Sequence, residues 1–241
     1  RAERADELAK RHHGITAIAG EEEPENNKQA ATGAGVVILG VKPAGIADLA
    51  REIGDSLAPD AIVISVAAAV SLEQLEAALP AGQPVIRTMP NTPAKLGRGV
   101  VSVSPGTHCS AAQLQLAKDI LAAAGTVVEI PEHQVDALSA ISGSGPAYAF
   151  YLAEAMADAG VELGLDRELS ELIARETVAG AGFMLAEPGA DPAALRKAVT
   201  SPNGTTERAI ATFGARGFPA IIADGARDAA ARAAEITRQL G

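Results

Sequence analysis

Along its first half the chain carries apolar side chains in short unbroken runs, and along its second half in longer stretches punctuated by Gly and Pro. Val36-Val37-Ile38-Leu39-Gly40-Val41 is apolar throughout, the pattern of a parallel strand covered on both faces. Similar runs predict strands at 61–66, 84–88, 100–103 and 126–130, and a shorter one at 15–19. Between them, 45–57, 72–79 and a segment around 111–124 predict helices. Residues 1–13 predict a charged amphipathic helix, with Ala5, Leu8 and Ala9 on one face and Gly14 ending it. Residues 21–27 form an acidic, turn-rich connection, and 28–34 a weak helix. Strands and helices alternating at these lengths predict an α/β fold built on a doubly wound parallel sheet.

Beyond Pro131 the pattern turns helical. Candidate helices span 134–141, 146–163, 167–185, 192–199, 205–214 and 219–240, each bounded by Gly or Pro. With no fixed-period repeat and no low-complexity linker, the expected division is an α/β domain over 1–131 and an all-helical domain over 132–241, joined tightly near Pro131.

Charge and composition narrow what such a chain does. Twenty Lys and Arg against 30 Asp and Glu leave a net charge of −10, which disfavours nucleic acid or an anionic membrane as the main partner. The longest apolar run, 61–70, contains Ser65 and falls well short of the ~20 residues of a membrane span. With no signal peptide expected at the start and Cys109 the single cysteine, a reducing cytoplasmic setting is expected. An isolated thiol is read as bland. His12 and His13 are adjacent and point apart on a helix, while His108 and His133 stand in unrelated segments, so no metal site is read. Aromatic residues make up 2% with no Trp, and Ala and Gly are abundant, which suits closely approaching, interlocked helices.

Three groups of residues carry candidate chemistry. In open parallel sheets ligands bind at the carboxyl ends of strands, so Gly40-Val41-Lys42-Pro43, Ser65-Val66-Ala67-Ala68-Ala69 and Met89-Pro90-Asn91-Thr92-Pro93 are expected to line one crevice. The small Ala67, Ala68 and Ala69 admit a flat ring or ribose; ordinary turns are the alternative. Ile141-Ser142-Gly143-Ser144-Gly145-Pro146-Ala147-Tyr148 sets a Gly/Ser loop before a helix, with Pro146 suited to its first position, and a simple cap explains it equally. In Thr200-Ser201-Pro202-Asn203-Gly204-Thr205-Thr206 a glycine flanked by hydroxyl residues opens a helix, whose free amides and dipole suit a carboxylate. The alternative there is that Ser and Thr merely cap, with Glu207 in the first turn stabilising the helix end.

Taken in order, Val41-Lys42-Pro43, Ser65-Val66-Ala67-Ala68, Met89-Pro90-Asn91-Thr92-Pro93-Ala94, the Ser142 to Tyr148 segment and the Thr200 to Thr206 loop resemble the pyrroline-5-carboxylate reductases over essentially the whole chain. The resemblance implies a Rossmann-like nucleotide-binding domain followed by a helical dimerisation domain, assembled as a homodimer or higher homo-oligomer. It implies reduction of 1-pyrroline-5-carboxylate to L-proline, the last step of proline biosynthesis, with NADPH as the usual cofactor and NADH possible. Asn27, Gly40, Val41, Lys42, Pro43, Val66, Ala67 and Ala68 match cofactor-contacting positions; Ser201, Gly204, Thr205 and Thr206 match the loop holding the substrate carboxylate and ring nitrogen, with Thr206 as the catalytic hydroxyl. Two residues depart from the family pattern, Ala69 and Asn203, each standing where Gly is usual. The chain begins in what resembles the helix after the second strand, so the first strand and a G-x-G-x-x-G loop are not among its residues. Gly33-Ala34-Gly35 is no substitute, because it enters a strand rather than opening a helix. Another imine or hydroxyacid reductase of the same plan, or a non-catalytic helical dimer that binds a metabolite, stays open as an alternative.

Overall fold

The computed structural model describes residues 2–20 and 25–240. The chain divides into two units, Arg1–Ser139 with Ala231–Gly241, and Ala140–Ala230. In the first, strands β1 (Val36–Leu39), β2 (Ile62–Ser65), β3 (Val85–Pro90), β4 (Gly99–Pro105) and β5 (Gly125–Glu129) form one sheet in sequential order. Helices α1 (Ala2–Arg11), α2 (Asn26–Ala31), α3 (Ile46–Ile53), α4 (Leu72–Ala78) and α5 (Ala111–Leu121) accompany it, followed by the short α6 (Val135–Leu138).

The unbroken apolar runs have the expected cause. All four residues of β2 are buried, and alternate side chains point to opposite faces of the sheet. Val63 joins Leu39, Val85, Ile46, Ala50 and Leu75 in a core that includes residues of α2, α3 and α4. Ile62 and Ile64 join Ile86, Val101, Val103, Ala117 and Leu121 in a second core that includes residues of α5. Covered on both faces, β2 has no use for a polar side, whereas Ile38 of the edge strand β1 is 51% exposed and β5 holds no fully buried residue.

β1, β2 and β3 run parallel, as do β4 and β5, but β3 and β4 are antiparallel, so the sheet is not parallel throughout. The reason is the length of the connection. A parallel return needs a dozen or more residues, whereas residues 91–98 reverse the chain through a 3-10 turn, Thr92–Leu96, and the left-handed Gly97 (φ 66°). The sheet then closes tightly at Gly125, where an added Cβ would lie 2.1 Å from the Gly99 carbonyl oxygen.

Residues 15–19 do not form the expected strand. They pair with no strand among the described residues, although β1 has an open edge, and Ile15 is 49% exposed. Of the acidic connection read at 21–27, residues 21–24 lie outside the described residues. The weak helix expected at 28–34 is α2, two residues earlier, ended by Thr32 and the left-handed Gly33 (φ 73°).

The second unit is helical: α7 (Gly145–Glu162), α8 (Arg167–Leu185), α9 (Pro192–Ala198), α10 (Thr205–Ala215) and the start of α11 (Phe218–Leu240). α7 and α8 form a hairpin that turns at Gly164 (φ 98°) and restarts with Asp166, whose carboxylate accepts the Leu169 amide at 2.9 Å. At their contact Gly160 faces Ser170 so closely that an added Cβ would sit 2.8 Å from its hydroxyl. This is the close approach through small residues that the Ala/Gly-rich composition suggests. The Ser139–Gly143 segment is a π-helical turn rather than the end of a helix and an open loop. The phenol of Tyr148 donates to the Ala140 carbonyl at 2.7 Å, which supplies one of the partners the widened turn leaves to side chains.

Candidate active site

Because β1, β2 and β3 are parallel, their carboxyl ends emerge on one side of the first unit, and the three loops read as a crevice start there. Gly40 follows β1, and an added Cβ on it would meet the Val66 side chain at 4.0 Å, so the first two loops are neighbours. Lys42 is exposed and leads into the 3-10 turn Pro43–Gly45, closed by the Gly45 amide donating to the Lys42 carbonyl at 2.9 Å. After β2, the Val66 amide donates to the Leu39 carbonyl at 3.2 Å, and Ala67 is buried, Ala68 exposed. In the third loop Met89 and Pro90 complete β3, and the Asn91 side chain accepts the Val100 amide at 2.9 Å. Asn27, on α2 in the same unit, donates its side-chain amide to the Glu52 carboxylate of α3 at 3.1 Å.

The residues present suit a dinucleotide as far as they go. Gly40, Ala67 and Ala68 leave the strand ends free of bulk, and Val41, 43% exposed, offers an apolar surface beside them. A flat ring or ribose needs such a shelf.

In the second unit Ser201, Gly204, Thr205 and Thr206 come together in one turn. The Gly204 amide donates to the Ser201 carbonyl at 3.0 Å, a bend so tight that a Cβ on Gly204 would lie 3.0 Å from that oxygen. Gly204 is the N-cap of α10 and has no side chain with which to cap it. The Thr200 hydroxyl is turned back to the Arg196 carbonyl at 2.6 Å, and the Glu207 carboxylate accepts the Asn203 amide at 2.7 Å. Capping by loop hydroxyls therefore does not account for Thr200 or Gly204. The opening turn of α10 presents its amides at Thr205 and a half-buried Thr206. In the other Gly/Ser segment, Ser144 likewise makes no capping bond, and Pro146 is at the second helical position rather than the first.

The two departures from the family pattern have a conformational meaning. Ala69 (φ 61°) and Asn203 (φ 60°) are the two non-glycine residues with left-handed backbone among those described, so each keeps the geometry for which glycine is suited. Cys109 stands apart, and burial pushes its thiol above the ordinary range, which keeps it protonated at neutral pH.

A family model described as pyrroline-5-carboxylate reductase dimerisation matches residues 132–236, and one described as NADP oxidoreductase, coenzyme F420-dependent, matches residues 1–69. The pyrroline-5-carboxylate reductase of Pseudomonas aeruginosa is 43% identical over 218 residues, 90% of this chain and 80% of that protein. That of Corynebacterium melassecola is 40% identical over 214 residues, covering 88% and 79%. The chain belongs to the pyrroline-5-carboxylate reductase family. Among solved structures, a pyrroline-5-carboxylate reductase from Coxiella burnetii superposes with a TM-score of 0.82 at 36% identity, over 87% of this chain and 78% of that one. The Plasmodium falciparum pyrroline carboxylate reductase, solved with NADP bound, gives 0.76 at 26% identity, over 88% and 80%.

As a member of this family the reductase is a homo-oligomer whose helical region carries the dimerisation match. Within the matched residues Phe150 (68%), Tyr151 (72%) and Phe183 (65%) are exposed on α7 and α8. Two polar links escape the sequence. Arg87, buried on β3, pairs with Glu132 at 2.8 Å, and the same carboxylate oxygen accepts the Leu72 amide at 2.6 Å. The Thr88 hydroxyl bonds the Ser65 carbonyl. Glu207, read in the first turn of its helix, accepts the Asn203 amide.

Proposed function

We propose that this protein reduces 1-pyrroline-5-carboxylate to L-proline, the closing step of proline biosynthesis, with NADPH or NADH as hydride donor. The α/β part, 1–131, takes the dinucleotide through Asn27, Gly40-Val41-Lys42-Pro43 and Val66-Ala67-Ala68. The helical part, 132–241, takes the substrate and the partner subunit. The observation that carries the reading is the uncapped start of α10, where Gly204 gives no side chain and the neighbouring carboxylate of Glu207 is engaged by Asn203.

A carboxylate there accepts the amides of Thr205 and Thr206 at the positive end of the helix. Ser201 and Gly204 shape the turn so that a planar ring approaches the backbone. The imine binds with its ring nitrogen already protonated from solvent, which makes the C=N carbon electrophilic, and the Thr206 hydroxyl hydrogen-bonds that nitrogen and holds it in place as it becomes an amine. The reduced nicotinamide, when bound, supplies the hydride that this carbon accepts. No side chain of unusual acidity is required, and positioning carries most of the rate. A cytoplasmic location accords with a single cysteine, Cys109, which can make no internal disulfide; among the described residues no helix is long and apolar enough to cross a membrane.

Steady-state assays with the purified protein test the assignment. Oxidation of NADPH is expected with pyrroline-5-carboxylate and much less with open-chain 2-keto acids. Equal or greater turnover on the keto acids would overturn it.

A further inference from the structure

We propose that Thr88 is a positioning residue for the cofactor loop Val66-Ala67-Ala68, acting through the carbonyl of Ser65. The inference rests on assigning that loop to the cofactor. Its basis is a buried hydrogen bond that neither strand pairing nor core packing demands.

Thr88 stands on β3 and Ser65 ends β2; they are 1% and 0% exposed. The Thr88 hydroxyl donates to the Ser65 carbonyl at 2.9 Å. The amide of the same peptide, that of Val66, donates the other way to the Leu39 carbonyl at 3.2 Å, and the Ala67 amide reaches the Ser65 hydroxyl at 3.4 Å. The last peptide of β2 is thus gripped from both neighbouring strands just before the chain enters the exposed Ala68 and the left-handed Ala69. In register Thr88 pairs with Val103, and by the period of two it shares a sheet face with Ile86, both members of an apolar core. Packing alone suits Val at this position. A hydroxyl is accounted for by the bond it makes, and burial keeps water from replacing it if it is lost.

The effect expected is on where the loop sits, and so on cofactor affinity rather than on the reacting atoms. Losing one such bond corresponds to about a five- to tenfold change in an equilibrium. NADPH titrated into the purified protein, followed by its fluorescence, should show the Kd raised about five- to tenfold in Thr88→Val. The KM for the imino acid should stay within about twofold, and Thr88→Ser, which keeps the hydroxyl, should bind as the wild type does. If Thr88→Val does not fold, Thr88→Ala is read in its place. In parallel, Ala68→Leu places bulk directly on the loop and tests the cofactor assignment itself. A raised Kd in Ala68→Leu with an unchanged Kd in Thr88→Val would overturn the role of Thr88 and leave the loop assignment standing. Unchanged affinity in both would overturn the assignment and the proposal together. A Thr88→Ser variant as weak as Thr88→Val would also overturn it, by showing that the methyl group and not the hydroxyl acts.

Discussion

Thr206 is where a single side chain carries the largest expected consequence. It is half-buried at the second position of α10, behind an N-cap that has no side chain, and its hydroxyl is assigned to the substrate nitrogen. A hydrogen bond that matters in the transition state is worth roughly 2–4 kcal/mol, so Thr206→Val should lower kcat/KM about 30- to 1000-fold while the cofactor Kd stays put. Thr205→Val should do less, because that residue contributes mainly its amide. A cap role predicts instead a stability loss of ~1 kcal/mol in either variant with near-normal kinetics; kinetics and melting of both variants separate the two, and wild-type kcat/KM in Thr206→Val would remove the residue from the chemistry. At the same scale, Ala69 and Asn203 show how much of a loop is set by backbone rather than by side chain. A left-handed conformation costs a non-glycine residue about 1–2 kcal/mol, with Asn the more tolerant, and both loops keep that conformation despite the exchange.

Between elements, the α7–α8 hairpin shows small residues deciding helix spacing. An added Cβ at Gly160 would stand 2.8 Å from the Ser170 hydroxyl and 3.1 Å from its Cβ. Overpacking of this kind costs about 1–3 kcal/mol, and the better helix propensity of Ala returns up to about 1. Gly160→Ala should therefore lower stability by about 1 kcal/mol, and Ser170→Gly in the same chain should recover much of that clash. Thermal or urea unfolding of the single and double variants measures the coupling; strictly additive effects would show that the two residues do not meet. Ser170 adds a second feature, since its buried hydroxyl has no hydrogen-bond partner among the described residues. The sequence signalled close helices through composition, but not which glycine met which serine, because a contact between helices depends on their rotation and crossing, and a residue count carries neither.

For the first unit as a whole, Arg87 and Glu132 join parts of the chain that are far apart in sequence. The pair links β3 to the segment after β5, and Glu132 also holds the first amide of α4. Arg87 is nearly fully buried, so removing its partner leaves a charge with little water to meet it, a loss of about 3–5 kcal/mol at a fully buried site. Glu132 is one-third exposed at its side chain, which lets water reach that end and places the expected cost for Glu132→Ala at the lower end, about 2–3 kcal/mol. Replacing both, as Arg87→Met with Glu132→Ala, should cost less than Glu132→Ala alone. Denaturant unfolding of the wild type and the two variants decides it, and a double variant no more stable than Glu132→Ala would show that the buried charge is not the cause.

What the chain determined by itself was whatever repeats or stays local. The apolar runs located β1 to β5, most fully β2, whose burial on both faces admits no polar alternation, and α8 falls on the expected 167–185, after the turn at Gly164. The motifs in order, ending in Thr200-Ser201-Pro202-Asn203-Gly204-Thr205-Thr206, were enough to place the chain among the pyrroline-5-carboxylate reductases. Tertiary structure decided the rest. Residues 15–19 carry a strand pattern but pair with no described strand; β4 runs antiparallel because its connection is too short to cross over; and Thr88 and Glu132 acquired their roles only when folding set Ser65 and Arg87 beside them. Periodicity is a property of neighbours along the chain, whereas pairing and ion contacts belong to neighbours in space, and the first does not specify the second.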